Sequence, residues 1–251
     1  MKQCWALPLA NCSDSISREH LVSQCFFLSQ TVKVMGHDWC KNTPKEIGLS
    51  SLTAKILCKK HNQDLSNLDS AAGEAFECFR DSDRLSSIRK AMKPILWHIQ
   101  RYSINGLLLE RWFLKTLINI QSTSSYPIGF NSNKAGMPSD ELVKIAFGFS
   151  PFPEKCGLYC VIKQDEQIKT NETLEYAPLI KDNSFIGGAL FRIRGFRFLL
   201  FITPNGPPSH LTGLGIGEED WGDSQLNFHN KKIQFAIGKH TSHILVFNWP
   251  R

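Results

Sequence analysis

The sequence predicts an α+β protein, and three observations carry that reading. Strand-like runs begin at Cys156 and recur to the C-terminus, separated by turn clusters such as Thr203-Pro204-Asn205-Gly206-Pro207-Pro208. Apolar residues at helical spacing fill two stretches, 65–79 and 104–118. Upstream, a strand-like run at 52–57 ends on Cys58 and His61 at C-x-x-H spacing and then continues as a helix. The chain therefore divides into an N-terminal unit over 1–85, a helical connector over 86–150 and an antiparallel β domain over 151–251.

Composition bounds the rest. With 251 residues, 42% hydrophobic and 21% charged, the chain can bury one large core or two modest ones. No run approaches the ~18–20 apolar residues of a membrane span. Pro8, Asn11 and Asp14 interrupt any apolar leader, so a cytoplasmic location is expected. The net charge of +6 is uneven: residues 1–120 hold 16 Lys/Arg against 11 Asp/Glu, and the remainder 13 against 12. A mild basic bias of this kind is compatible with a polyanionic partner.

The first elements read as loop and a short strand over 1–16, then an apolar surface at Leu21, Val22, Phe26, Phe27 and Leu28. A long polar connection over 31–51 needs a pin, and Cys40 is the obvious one. After Asn62, a helix with Leu65, Leu68, Ala72, Ala75, Phe76 and Phe79 on one face and Asp69 and Glu74 on the other should end before Asp81-Ser82-Asp83. A second helix is expected over 84–99 with a bend at Pro94. The third, from Ile104 to Ile118, is apolar almost all round and so belongs at a buried seam or partner interface. A short amphipathic helix near 140–147 precedes five strand-like runs: CGLYCVIK, FIGGALFRIR, FRFLLFIT, KIQFAI and HILVFNW. In the second of these, Arg192 and Arg194 share one face and Phe191 and Ile193 the other, a pattern open to a nucleic-acid-facing sheet but better explained as Arg lacing that discourages edge pairing.

Eight cysteines without a leader argue for metal rather than disulfides, since Cys4, Cys12, Cys40 and Cys58 crowd the first quarter near His20 and His61. Cys25 and Cys78 sit in apolar patterns that suit buried thiols. One helical turn separates Cys58 from His61, which suits two ligands of a tetrahedral zinc. Cys12 and Cys40 complete the expected set, with Cys4 as a substitute for either. Such an ion would offset the poor core of a small unit. Elsewhere Gly213, Gly215 and Gly217 form no phosphate loop, and His210, His229, His240 and His243 share no ligand spacing.

Two stretches carry a resemblance. Ser17-Arg18-Glu19-His20 resembles the (D/E)H motif of HNH endonucleases, and Lys55-Ile56-Leu57-Cys58-Lys59-Lys60-His61-Asn62 resembles their zinc-ligand segment, together covering about residues 10–70. The resemblance implies a zinc-stabilised ββα-metal unit that hydrolyses nucleic-acid phosphodiesters, with DNA the default substrate. It implies His20 as general base and Glu19 and Asn62 as ligands of a Mg²⁺ or Mn²⁺ ion. Thr53 or Ser51 takes the orienting place, and Arg18, Lys55, Lys59 and Lys60 meet phosphate. Small HNH proteins with such attachments resemble anti-phage or mobile-element effectors working beside an ATPase or sensor. Two departures stand out: the first zinc pair is not C-x-x-C, and the family's central Asn is absent. The rivals are a non-catalytic zinc-binding adaptor, and an activity carried by the β domain that the zinc unit positions.

Overall fold

The structure, a computed structural model, describes residues 4–24, 27, 31–35, 39–40, 43–92, 98–162, 173–193, 195–204, 225–228, 232–237 and 243–250. Cys25, Phe26, Leu28, Pro94, Arg194, His210, Gly213, Gly215, Gly217, His229 and His240 lie outside the described residues. In chain order the elements are β1 (Ile16–His20), β2 (Thr31–Met35), β3 (Lys45–Gly48), β4 (Thr53–Cys58), α1 (Lys59–Asp64), α2 (Ser66–Ala91), β5 (Gln100–Asn105), α3 (Gly106–Gln121) and α4 (Asp140–Ala146). There follow β6 (Gly157–Ile162), β7 (Thr173–Lys181), β8 (Phe185–Ile193), β9 (Phe196–Phe201), β10 (Gln225–Phe228), β11 (Lys232–Ile237) and β12 (His243–Asn248). Helices and sheets are both present, as an α+β reading requires.

The antiparallel pair β1–β4 runs straight into a helix, although β2 and β3, which lie between them in sequence, belong to another sheet. β1 lies antiparallel to β4, with Ile16 opposite Cys58 and His20 opposite Thr53, and a bulge between Ser17 and Glu19. β4 runs straight into α1, whose first turn is capped by the Cys58 sulfur accepting from the His61 N–H. Leu65 breaks the path, and α2 then continues for 26 residues. The expected stop at Asp81–Asp83 does not occur. Poor helix formers there cost only tenths of a kcal/mol each, while Phe76 and Phe79 hold the helix by packing on Trp112 and Phe196.

A seven-stranded sheet in the order β10-β6-β9-β8-β7-β2-β3 forms the body of the protein. Most of its pairs are antiparallel, but β2 joins β7 in parallel, Lys33 opposite Thr173. Strands from residues 31–48 are therefore part of the same sheet as strands after 156. A second sheet, β11-β12-β5, pairs β5 in parallel with β12. Strand pairing thus crosses both boundaries drawn at 85/86 and 150/151. Residues 100–105, expected to lie within or next to helix, are strand because a partner over a hundred residues away supplies the ladder.

α3 is buried, as its apolar pattern predicts. Leu109, Trp112, Phe113, Leu114, Leu117 and Ile118 are fully buried. Phe113 packs edge-on against Phe191 of β8, and Phe198 of β9 lies 4.9 Å from it. At its start, Asn105 caps the helix by accepting from the Leu108 N–H. Gly106 there lies under the Trp249 ring, where a Cβ would come within 2.8 Å. Four polar residues, Glu110, Lys115, Thr116 and Asn119, are buried with the apolar ones. Among the paired strands, Arg192 meets Glu175 across β7 and β8 while Phe191 and Ile193 point into the core.

Candidate metal centre

The C-x-x-H pair at the β4–α1 junction meets two cysteines brought back by the N-terminal segment. Trp5 donates its backbone N–H to the Ile56 carbonyl, which lays residues 4–6 against β4 and buries Cys4. A 3₁₀ turn at Leu7–Leu9 then reverses the chain. Ala10 (φ 60°, ψ −166°) and Asn11 (φ 53°) both take positive φ to return Cys12 to the same place. For Ala10 this is a backbone region that glycine alone occupies comfortably.

The result is a group of Cys4, Cys12, Cys58 and His61 with donor atoms all within 4.8 Å of one another. The three sulfurs lie 3.4, 3.6 and 3.4 Å from the one Nδ1 of His61. A tetrahedral zinc with ordinary bond lengths sets each sulfur roughly 3.6 Å from the nitrogen and roughly 3.8 Å from the other sulfurs. The fit is close. Hydrogen bonding alone does not account for it, because one ring nitrogen has a single proton or a single lone pair to offer three thiols. These residues could therefore hold a metal such as zinc.

Electrostatics within the group differ from ligand to ligand. Burial pushes the Cys4 thiol up to about 12 and also raises that of Cys12. At Cys58 burial pulls the same way but loses to hydrogen bonds from the His61 and Ser13 backbone, the Ser13 side chain and Cys4, which bring it down to about 7. Burial, with the Lys60 charge, depresses His61. Phe147 covers the imidazole edge-on, with centroids 5.4 Å apart.

Cys40, expected as a ligand, is buried outside this group, and Cys4 stands in its place. The donor that lies farthest away in sequence was decided by packing: Trp5, 1% exposed, draws its neighbour Cys4 in against β4. Among the described residues this is the one group of three or more His, Cys, Asp or Glu close enough to hold a metal.

The residues expected to do chemistry are arranged differently. His20 and Thr53 do come together as cross-strand partners. Thr53 accepts from Arg18 Nε at 2.9 Å and donates to the Ser50 carbonyl at 3.2 Å. The Nδ1 of His20 is buried and has no hydrogen-bond partner among the described residues. Glu19 is buried and turned inward onto Lys115, at 2.8 Å. The same ammonium lies 3.0 and 2.8 Å from the two oxygens of Asp69. Asp69, expected on the solvated side of its helix, is instead half-buried here and also takes a hydrogen bond from Ser23. Asn62 sits in α1, beyond the Cys58 end of the β1–β4 pair, whereas Glu19 pairs near its Thr53 end.

The carboxylate assigned to a divalent ion is thus already neutralised by a protein cation. Burial raises the Glu19 pKa, and Lys115 pulls it back. Sequence reasoning missed Lys115 and Asn119, although a signal existed: two strongly polar residues inside a helix otherwise too apolar to face water. The proposed phosphate contacts Arg18, Lys55, Lys59 and Lys60 are all exposed, Lys60 forming an i,i+4 pair with Asp64 at 3.2 Å. No protein-family model, curated protein or solved structure matches the chain.

Proposed function

We propose that the chain is a zinc-clamped ββα nuclease that hydrolyses nucleic-acid phosphodiester bonds with His20 as general base. The observation that carries this reading is the antiparallel β1–β4 pair running directly into α1. It sets His20 opposite Thr53 at one end and the Cys₃His group at the other. Zinc is the ion assigned to the clamp, because three thiolates and an imidazole at tetrahedral spacing suit a closed structural site. In the reaction, His20 takes a proton from water, the water oxygen attacks phosphorus and the bond to the leaving sugar oxygen breaks. A Mg²⁺ or Mn²⁺ ion would neutralise the developing charge. Glu19 is withdrawn from holding that ion by Lys115, and Asn62, in α1 past Cys58, stands at the other end of the strand pair from His20. Arg18, Lys55, Lys59 and Lys60 supply an exposed cationic surface for the substrate backbone.

One observation favours a second reading, a non-catalytic zinc-binding adaptor. The Lys115 ammonium fills the space between two carboxylates, where a divalent cation would otherwise sit. Plasmid cleavage with Mg²⁺ or Mn²⁺ separates the two. The nuclease reading expects nicking by the wild-type chain, lost in His20→Ala while zinc content stays at about one per chain. Nucleic-acid binding without cleavage, at full zinc occupancy, would select the adaptor.

A further inference from the structure

One buried polar face of α3 grips the end of β1 at three successive points. Trp112 Nε1 donates to Ser23 Oγ at 2.8 Å, Lys115 pairs with Glu19 at 2.8 Å, and Asn119 Nδ2 donates to the His20 carbonyl at 3.4 Å. Spacings of three and four residues put all three side chains on the same side of the helix. Asn119 has a second partner, because its Oδ1 accepts from Trp5 Nε1 at 3.1 Å. Trp5 follows the clamp residue Cys4 directly and is tied to β4 through Ile56. Both Trp5 and Asn119 are 1% exposed, so neither hydrogen bond can be replaced by water.

We propose that Asn119 is a positioning residue through which the Cys₃His clamp sets the place of His20. An ion holding Cys4 holds Trp5; Trp5 orients the Asn119 amide; the amide's other end fixes the His20 carbonyl. The amide is suited to this because it accepts from the indole and donates to the carbonyl at once. An apolar isostere can do neither, and aspartate can only accept. Metal occupancy and the geometry of the His20 end of the β1–β4 pair are thereby coupled. The coupling rests on the nuclease reading only for its catalytic consequence; the contacts themselves are independent of it.

The test uses two zinc-loaded variants of the full chain, Trp5→Phe and Asn119→Leu. The first removes the indole donor and keeps a ring; the second removes both amide functions and keeps the volume. The ring C–H signal of His20 is followed by NMR at one fixed pH, assigned by difference with His20→Gln, together with amide exchange at residues 19–23. The coupling expects zinc content to stay at one per chain. It also expects the His20 signal to move in both variants and exchange over 19–23 to quicken about tenfold or more. Where the wild type cleaves, kcat should fall about tenfold or more with KM within about twofold, as displacement of a reacting group requires. A wild type that does not cleave, with His20 still moved in both variants, upholds the coupling and removes the nuclease reading. His20 signals and exchange unchanged in both variants overturn the coupling, and cleavage by the wild type would leave the nuclease reading standing without it.

Discussion

Lys115→Met tests the buried cation directly. The ammonium side chain is 2% exposed and serves Glu19, at 8%, and Asp69, at 31%. Methionine keeps most of the aliphatic stem and removes only the charge, leaving two carboxylates facing each other with one of them sealed from water. Breaking a buried pair in this way costs about 3–5 kcal/mol, far more than the pair contributes net over an apolar replacement. For a chain of this size each kcal/mol moves the melting temperature by about 2–4 °C, so the loss should be about 6–20 °C. The effect should also depend on pH. Glu19 lies above its ordinary value of 4.5, first because it is buried, while Lys115 opposes that shift. A carboxyl raised in the folded state loses stability as pH rises from its unfolded value through its folded one. Removing Lys115 raises it further, so the window widens and the variant should lose more at pH 8 than at pH 5. Adding Glu19→Gln should restore much of the loss. Thermal melts of the two variants and the wild type at both pH values provide the check. A deficit below about 1 kcal/mol, or one that shrinks as pH rises, would refute the claim that this ammonium is what makes the buried acid tolerable.

Three other outcomes follow from the same contacts. Cys4→Ser should lose bound zinc and melt at lower temperature, whereas Cys40→Ser should keep about one zinc per chain by elemental analysis, since Cys40 lies outside the donor group. Glu110 accepts from the Leu158 N–H at 2.7 Å and Trp249 Nε1 at 3.0 Å, and burial carries its carboxyl up to about 7. Folding therefore takes up a proton between pH 4.5 and about 7, and stability should decline by something on the order of 3 kcal/mol as pH rises through that window. Glu110→Gln should flatten this slope in denaturant titrations across the range. Finally, Ala10→Gly should raise the melting temperature by about 2–4 °C, because it relieves a backbone conformation that costs an alanine about 1–3 kcal/mol against a smaller entropic loss.

Local spacing was legible before any coordinates. Cys58 and His61 fall in one candidate donor group because one helical turn separates them at a strand–helix junction, a relation that needs nothing beyond residues 53–64. The burial of α3 was equally plain, since Leu109, Trp112, Phe113, Leu117 and Ile118 leave no face for water. The strands at 157–162, 185–193, 196–201, 232–237 and 243–248 followed from alternation and turn residues. The strand at 173–181 did not stand out, because Pro178 and the acid at 175 mask its pattern; its place comes from eight register pairs with β8.

What tertiary structure alone decided concerns partners far apart in the chain. Cys4 and Cys40 are both cysteines near a half-built site, and nothing in their local sequence ranks them; the choice fell to whichever segment packs on β4, and Trp5 makes that the N-terminus. The parallel pairings of β2 with β7 and β5 with β12 are of the same kind, as is the turn of Glu19 away from solvent onto Lys115. Spacing along a chain prescribes which side chains share a turn or a face, but a charge or thiol with several distant suitors is assigned by competition for burial. That competition is settled only when the whole core closes.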